Sequence, residues 1–310
     1  MTTGTGRDND RWVLPDGTAA QGDFRLVIDS GIEGWQHTML RVAYLAEGAQ
    51  LTHGSGEEES VIVPLSGSVR VQVTDADGGA HDITLAGRAD VFAGPTDIAY
   101  AGRGATITLT ATSGAARIAL AGAPAYKHDR PKPFRHIGVD EVPVEIRGAG
   151  IATRQVRGFG LPDVLDADSI LVCEVITPAG NWSSWPPHKH DEESEGESEL
   201  EEIYYFETRS TDPRGTDPVG YQRVYGSGAG HADRPIDVLA EVRTGDVVLV
   251  PHGWHGPAMA APSADLYYLN VMAGPGPERA WRICDDPAHA WVRESWAELQ
   301  PDPRLDVKGR

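Results

Sequence analysis

Cysteine is scarce: only Cys173 and Cys284 occur in 310 residues. Two are too few for a disulfide scaffold, and isolated positions match no zinc spacing. Basic residues are also few, 27 lysines and arginines against 46 acidic residues, leaving a net charge of −19. That surplus repels phosphate backbones and anionic membranes, so no nucleic-acid or membrane partner is expected. A carboxylated substrate would need a local basic pocket. No run of eighteen apolar residues is present, and the first thirty residues are polar and acidic without a cleavage-like site. The expectation is a cytoplasmic protein with neither signal peptide nor membrane span. Helical periodicity is nearly missing as well. Only Pro287–Leu299, with Trp291, Val292, Trp296 and Leu299 at three-to-four spacing, predicts a helix, short and external.

What the chain does have is glycine (36), proline (22) and many short runs of valine, isoleucine and threonine. Arg25–Ile28, Met39–Ala46, Ser60–Pro64, Val69–Thr74, Ile83–Leu85 and Thr106–Thr112 read as strands. Turn signals such as Ser66-Gly67 and Asp77-Gly78-Gly79 separate them. Gly122–Pro133, with three prolines and several charges, is the expected linker. The rhythm then resumes at Glu141–Ile146, Thr153–Val156, Ile170–Ile176, Glu202–Glu207, Gln222–Tyr225, Val238–Val242, Val247–Val250 and Leu266–Met272. Closely spaced strands without long helices predict an all-β fold, and the repeated rhythm predicts a duplication.

One constellation carries chemistry. His188 and His190 are separated by one residue, which places both imidazoles on one face of an extended segment. Glu202 opens the run Ile203-Tyr204-Tyr205-Phe206, and His255 follows the Val247–Val250 strand within PHGWHG. Three imidazoles and a carboxylate suit a divalent first-row metal. Glu199 and Glu201 compete with Glu202 for the carboxylate role, and His252 competes with His255. Glu202 is preferred for standing directly against the aromatic run. Between the histidine pair and the strand, Asp191–Glu201 holds seven acidic residues. It reads as a solvated, self-repelling loop with a mobile tip. The other histidines, among them His37, His53, His136 and His231, are isolated.

The order H-x-H, glutamate, then glycine-flanked histidine resembles the two cupin motifs. The runs NWSSWPPHKHD, LEEIYY, PHGWH, DLYYLNVMAGP and DPAHAWV look like the 5-deoxy-glucuronate isomerase family, bicupin uronate isomerases of inositol catabolism. The likeness covers essentially the whole chain and is densest from Leu171 to Val292. Two departures from the general cupin spacing stand out: eleven residues between His190 and Glu202, and one residue, Trp254, between Gly253 and His255. The resemblance implies a bicupin of two double-stranded β-helix (jelly-roll) barrels. Residues 1–125 would form a barrel without metal ligands, with Val61–Val71 and Val91–Tyr100 as strand pairs and Glu59 or Ser60 near the vacant carboxylate position. Residues 126–310 would form the metal-binding barrel with the short C-terminal helix.

The same resemblance implies conversion of 5-deoxy-D-glucuronate to 5-dehydro-2-deoxy-D-gluconate. One divalent ion, zinc ahead of manganese or iron, would be held by His188, His190, Glu202 and His255. Glu174, Tyr204 and Tyr268 are candidates for proton transfer. Arg154, Lys189 and Arg223 are candidates for the substrate carboxylate, and Gln155 and Gln222 for sugar hydroxyls. The partner is thus a small uronate, with room for a homo-oligomer. Alternatives are an isomerase of a pectin-derived keto-sugar, a cupin dioxygenase, which would consume oxygen, and a non-catalytic sugar-binding cupin.

Overall fold

A computed structural model describes residues 5–215, 217–228 and 234–306; His231 lies outside them. Strands dominate, and every strand pair is antiparallel. Among the described residues no helix is long and apolar enough to cross a membrane.

The first half builds an eight-stranded sheet around two long strands, Glu58–Thr74 and Thr106–Pro124. Each is longer than its sequence signal because a register shift, not a turn, interrupts it: Pro64–Val69 in the first strand pairs irregularly with the second. The apolar run Val61–Leu65 is now explained. Ile62 enters the sheet's own core, while Val61, Val63 and Leu65 join the core shared with the second half. A strand buried on both faces shows no alternation. The interior of this half is filled by small and branched apolar residues such as Val69, Val71, Leu85, Ile107 and Leu109. Val91–Tyr100 yields only the strand Ile98–Ala101, and the expected linker is strand as far as Pro124.

The second half opposes a seven-stranded and a six-stranded sheet. The first contains Arg154–Gly160, Leu171–Thr177, Glu201–Ser210, Val247–Val250 and Ala264–Ala273; the second contains His188–Lys189, Gly220–Tyr225, Asp237–Val242 and Trp254–Ala260. Two edge strands cross between the halves. Val13–Leu14 pairs with Val247–Val248, and Arg135–Ile137 pairs with Ile98–Tyr100. Near the end, the helix is limited to Trp291–Ser295, continued by a 3-10 turn at Trp296–Glu298.

Ion pairs seal the contact between the halves. Both terminal guanidinium nitrogens of Arg88 donate to Glu174 at 2.7 Å, and Arg157 adds a bond of 2.9 Å. Arg117 reaches Glu207 at 2.8 Å. The carboxylate of Glu59 accepts from the backbone of Asp168, Ser169 and Ile170 and from the Tyr100 hydroxyl. Glu59 is thus a buried anchor for a loop of the other half.

Candidate metal centre

Register brings the three histidines together. His188 lies directly opposite His255 across the Trp254–Ala260 strand, and strand parity turns His190 to the same side. Two glycines permit the approach. At Gly256, with φ of 108°, a Cβ would lie 1.9 Å from the Ser184 carbonyl oxygen; at Gly253, with φ of 89°, it would lie 2.6 Å from that of Tyr225. Only glycine fits such contacts.

All three rings are buried, with centroids separated by 4.4 Å (His188–His255), 4.6 Å (His190–His255) and 6.2 Å (His188–His190). Each Nδ1 has a backbone carbonyl nearby: Pro186 at 3.5 Å, Leu200 at 3.3 Å and Gly253 at 3.1 Å. A proton held on Nδ1 leaves the Nε2 lone pair free, the arrangement that orients metal-ligating histidines. One candidate ligand atom from each ring lies within 4.8 Å of the others. Glu202 Oε2 is 3.0 Å from His190 Nε2 and 3.1 Å from His255 Nε2.

His255 Nε2 is buried and has no aligned hydrogen bond, although the carboxylate is near. A buried ring nitrogen without an acceptor, facing two imidazoles and an anion, fits a divalent ion at their centre. Electrostatics agree. Burial drives the His188 pKa well below the ordinary value, helped by His255, His190 and Arg154, which keeps this imidazole neutral. Burial opposes ionisation of Glu202, yet the imidazoles of His190 and His255 beside it outweigh that and hold the carboxyl at about 2.

Parity also separates the three glutamates. Glu201 points the opposite way and accepts from the backbone of Gln36 and His37 at 2.9 and 2.7 Å. Glu199 sits outside the strand, in a bridge with Asp191. The acidic run is folded, contrary to expectation. Lys189 Nζ gathers Asp191, Glu192 and Glu197 at 2.8–2.9 Å, and Asp191 also accepts from the Gly253 backbone at 2.8 Å. An ammonium at the centre removes the self-repulsion that the composition suggested.

Lys189 is therefore engaged, and the alternation that turns His188 inward turns it away from the site. Three further expectations are corrected. Glu174 is not available as a base: it lies on the sheet face turned to the first half, held by Arg88, Arg157 and the Tyr267 hydroxyl. Gln155 shares that face, bonding Arg157 and the Asp306 carbonyl. Arg223 sits on the outer side of its strand, bound to Asp237 at 2.6 Å.

The remaining candidates converge. Tyr204 and Tyr268 stand on the Glu202 face, with rings 4.9 Å apart and both hydroxyls 3.3 Å from Ser184 Oγ. The Tyr204 ring is 6.2 Å from His255. Burial pushes Tyr268 up to about 12, opposed by Ser183, Ser184 and Arg154. Arg154 donates to the Ala152 carbonyl, at 3.2 Å, and lies 5.5 Å from the centre of the Trp296 ring. It has no carboxylate partner among the described residues, and burial lowers it to about 10. Gln222 faces the interior of its sheet, fully buried, with no partner for either amide atom among the described residues. Ser184 was missed by sequence reasoning; a lone serine before Trp-Pro-Pro gives no signal, yet its φ of 48° and its place under two phenols mark it here.

The KduI/IolB family description matches residues 12–292. The 5-deoxy-glucuronate isomerase of Geobacillus kaustophilus is 40% identical over 266 residues, covering 84% of this chain and 88% of the relative. That of Bacillus velezensis is 38% identical over 287 residues, covering 91% and 93%. Among solved structures, an IolB-like protein from Salmonella typhimurium superposes with a TM-score of 0.78 at 32% identity, covering 91% of this chain and 99% of the other. An oxalate decarboxylase from Lactobacillus farciminis superposes with a TM-score of 0.61 at 13% identity over 88% of each chain, a likeness of fold alone and of the cupin type. Matched over most of its length by the family description and by curated relatives, the chain belongs to the KduI/IolB family.

Proposed function

We propose that this chain is a bicupin isomerase that converts 5-deoxy-D-glucuronate to 5-dehydro-2-deoxy-D-gluconate in inositol catabolism, a cytoplasmic reaction. The observation that carries the reading is the meeting of His188, His190, Glu202 and His255 in a family whose curated relatives bear that activity's name. Those four residues would hold one divalent ion, with zinc first among the candidates. An ion held there would supply Lewis acidity for the negative charge that develops on oxygen when the carbon-bound proton is removed.

The protein's own groups supply the rest. Arg154 is the cation for the substrate carboxylate, having no carboxylate partner among the described residues of a strongly acidic molecule and being near enough to Tyr268 and His188 to shift both. Aldose–ketose exchange removes a proton from C2, returns one to C1, and moves a hydroxyl proton from O2 to O1. The hydroxyls of Tyr204 and Tyr268, joined through Ser184 Oγ, provide a relay for that hydroxyl proton. The apolar walls around them exclude bulk water. The first half, whose interior is filled, serves as scaffold.

The test is a coupled assay with 5-deoxy-D-glucuronate on metal-stripped and reconstituted protein, run beside the pectin-derived keto-sugar. Turnover lost on stripping and regained with at least one divalent ion is expected, with the inositol-derived sugar preferred. Full activity after complete chelation, or preference for the keto-sugar, would overturn it.

A further inference from the structure

Gln222 sits on the Gly220–Tyr225 strand, between Ala240 on one neighbouring strand and Ala258 on the other. Two positions along, past a register shift, Val224 lies opposite His255; Gln222 and Val224 are alternate buried residues of one strand, so the amide stands on the same interior wall as His255. Ala258 in turn faces Ser183, a neighbour of the Tyr268 hydroxyl. The side chain is fully buried, and among the described residues neither Oε1 nor Nε2 meets a polar partner. A buried amide with both ends unsatisfied costs stability, and leucine would fill the same space without that cost. Both flanking residues are alanines, the smallest side chains with a Cβ.

A primary amide offers one acceptor and one donor in a plane. Two neighbouring hydroxyls match that pair, one donating to Oε1 and the other accepting from Nε2. Resting on the isomerase reading, we infer that Gln222 is a specificity-determining residue that binds the vicinal diol of the sugar chain. In 5-deoxy-D-glucuronate the aldehyde carbon and C2 react and C5 carries no hydroxyl, which leaves the hydroxyls on C3 and C4 as that pair. A buried donor and acceptor discriminate steeply, because a substrate lacking either hydroxyl leaves the amide unpaired again.

The test compares wild type with Gln222→Leu and Gln222→Glu. Three quantities are measured: thermal stability of the ligand-free protein, the shift in Tm given by millimolar D-glucuronate, and turnover of 5-deoxy-D-glucuronate. For Gln222→Leu the expected results are a raised Tm, loss of the D-glucuronate shift, unchanged bound metal, and kcat/KM lower by roughly ten- to a hundredfold. Gln222→Glu, which keeps acceptors and loses the donor, should retain part of the binding. A lowered Tm for Gln222→Leu with kcat/KM unchanged would identify a structural amide and overturn the inference. An equal D-glucuronate shift in both proteins, or none in either, would overturn it too. Wild type that binds D-glucuronate through Gln222 but does not turn over the deoxy sugar would instead sink the isomerase reading and leave the diol site standing.

Discussion

Glu201 and Glu202 are adjacent and chemically identical, and one step of strand parity gives them opposite tasks. Glu202 meets two imidazoles, whereas Glu201 caps two backbone amides from the first half. Glu202→Gln should weaken metal retention by about ten- to a hundredfold and cut turnover by orders of magnitude. Glu201→Gln should leave bound metal unchanged and lower stability by about 1–3 kcal/mol. Elemental analysis and thermal denaturation of the two variants check this, and metal loss in Glu201→Gln would reverse the assignment. Parity made the facing of Glu202 toward the histidines legible in the sequence, because one-residue spacing and an adjoining aromatic run define a face. It failed for Glu174. Leu171–Thr177 is buried throughout, so no alternation marks its faces, and Arg88, one of the two arginines that claim Glu174, lies 86 positions away. Lys189 was misjudged for a different reason: its three partners belong to a loop whose composition spoke only of repulsion.

At the scale of elements, the histidine-bearing segments are fixed by close backbone packing as much as by hydrogen bonds. Gly256 is the tightest such contact, against the carbonyl of Ser184, whose hydroxyl lies beneath both phenols. Gly256→Ala should therefore displace Ser184 and His255 together. A loss on the order of 2–3 kcal/mol and a marked fall in kcat are expected. Gly196→Ala, where an added Cβ meets nothing within 4 Å, is the control and should be neutral. Thermal melts and steady-state kinetics decide it; a silent Gly256→Ala would remove the packing argument. Strand positions were mostly legible from β-branched runs. Their lengths were not, because Glu58–Thr74 and Thr106–Pro124 continue through glycine-marked irregularities that a sequence reads as turns. The final helix was read too long: of its apolar stripe, Trp291 and Leu299 are exposed and only Val292 is well buried.

Across the whole molecule, the two halves meet through charge as well as hydrocarbon. Glu174 is fully buried; burial raises its pKa, but Arg88 and Arg157 outweigh that and hold it below the ordinary carboxylate value. A depressed carboxylate contributes stability above its unfolded pKa and loses it as pH falls through the folded one. Unfolding midpoints should accordingly drop on acidification below about pH 4.5. Glu174→Gln should flatten that acid limb and cost about 3–5 kcal/mol at neutral pH, since it leaves buried guanidinium groups uncompensated. Denaturant titrations across pH measure both; an unchanged acid limb in Glu174→Gln would rule out this carboxylate as its source.

The anchoring of Glu59 to the backbone of Asp168, Ser169 and Ile170 has an engineering consequence. Excising the histidine-bearing portion for separate expression would strip three amides of their acceptor and bare an apolar wall at the same stroke. The halves are thus obligate companions, and any shortened catalyst would have to be redesigned along that seam rather than simply cut.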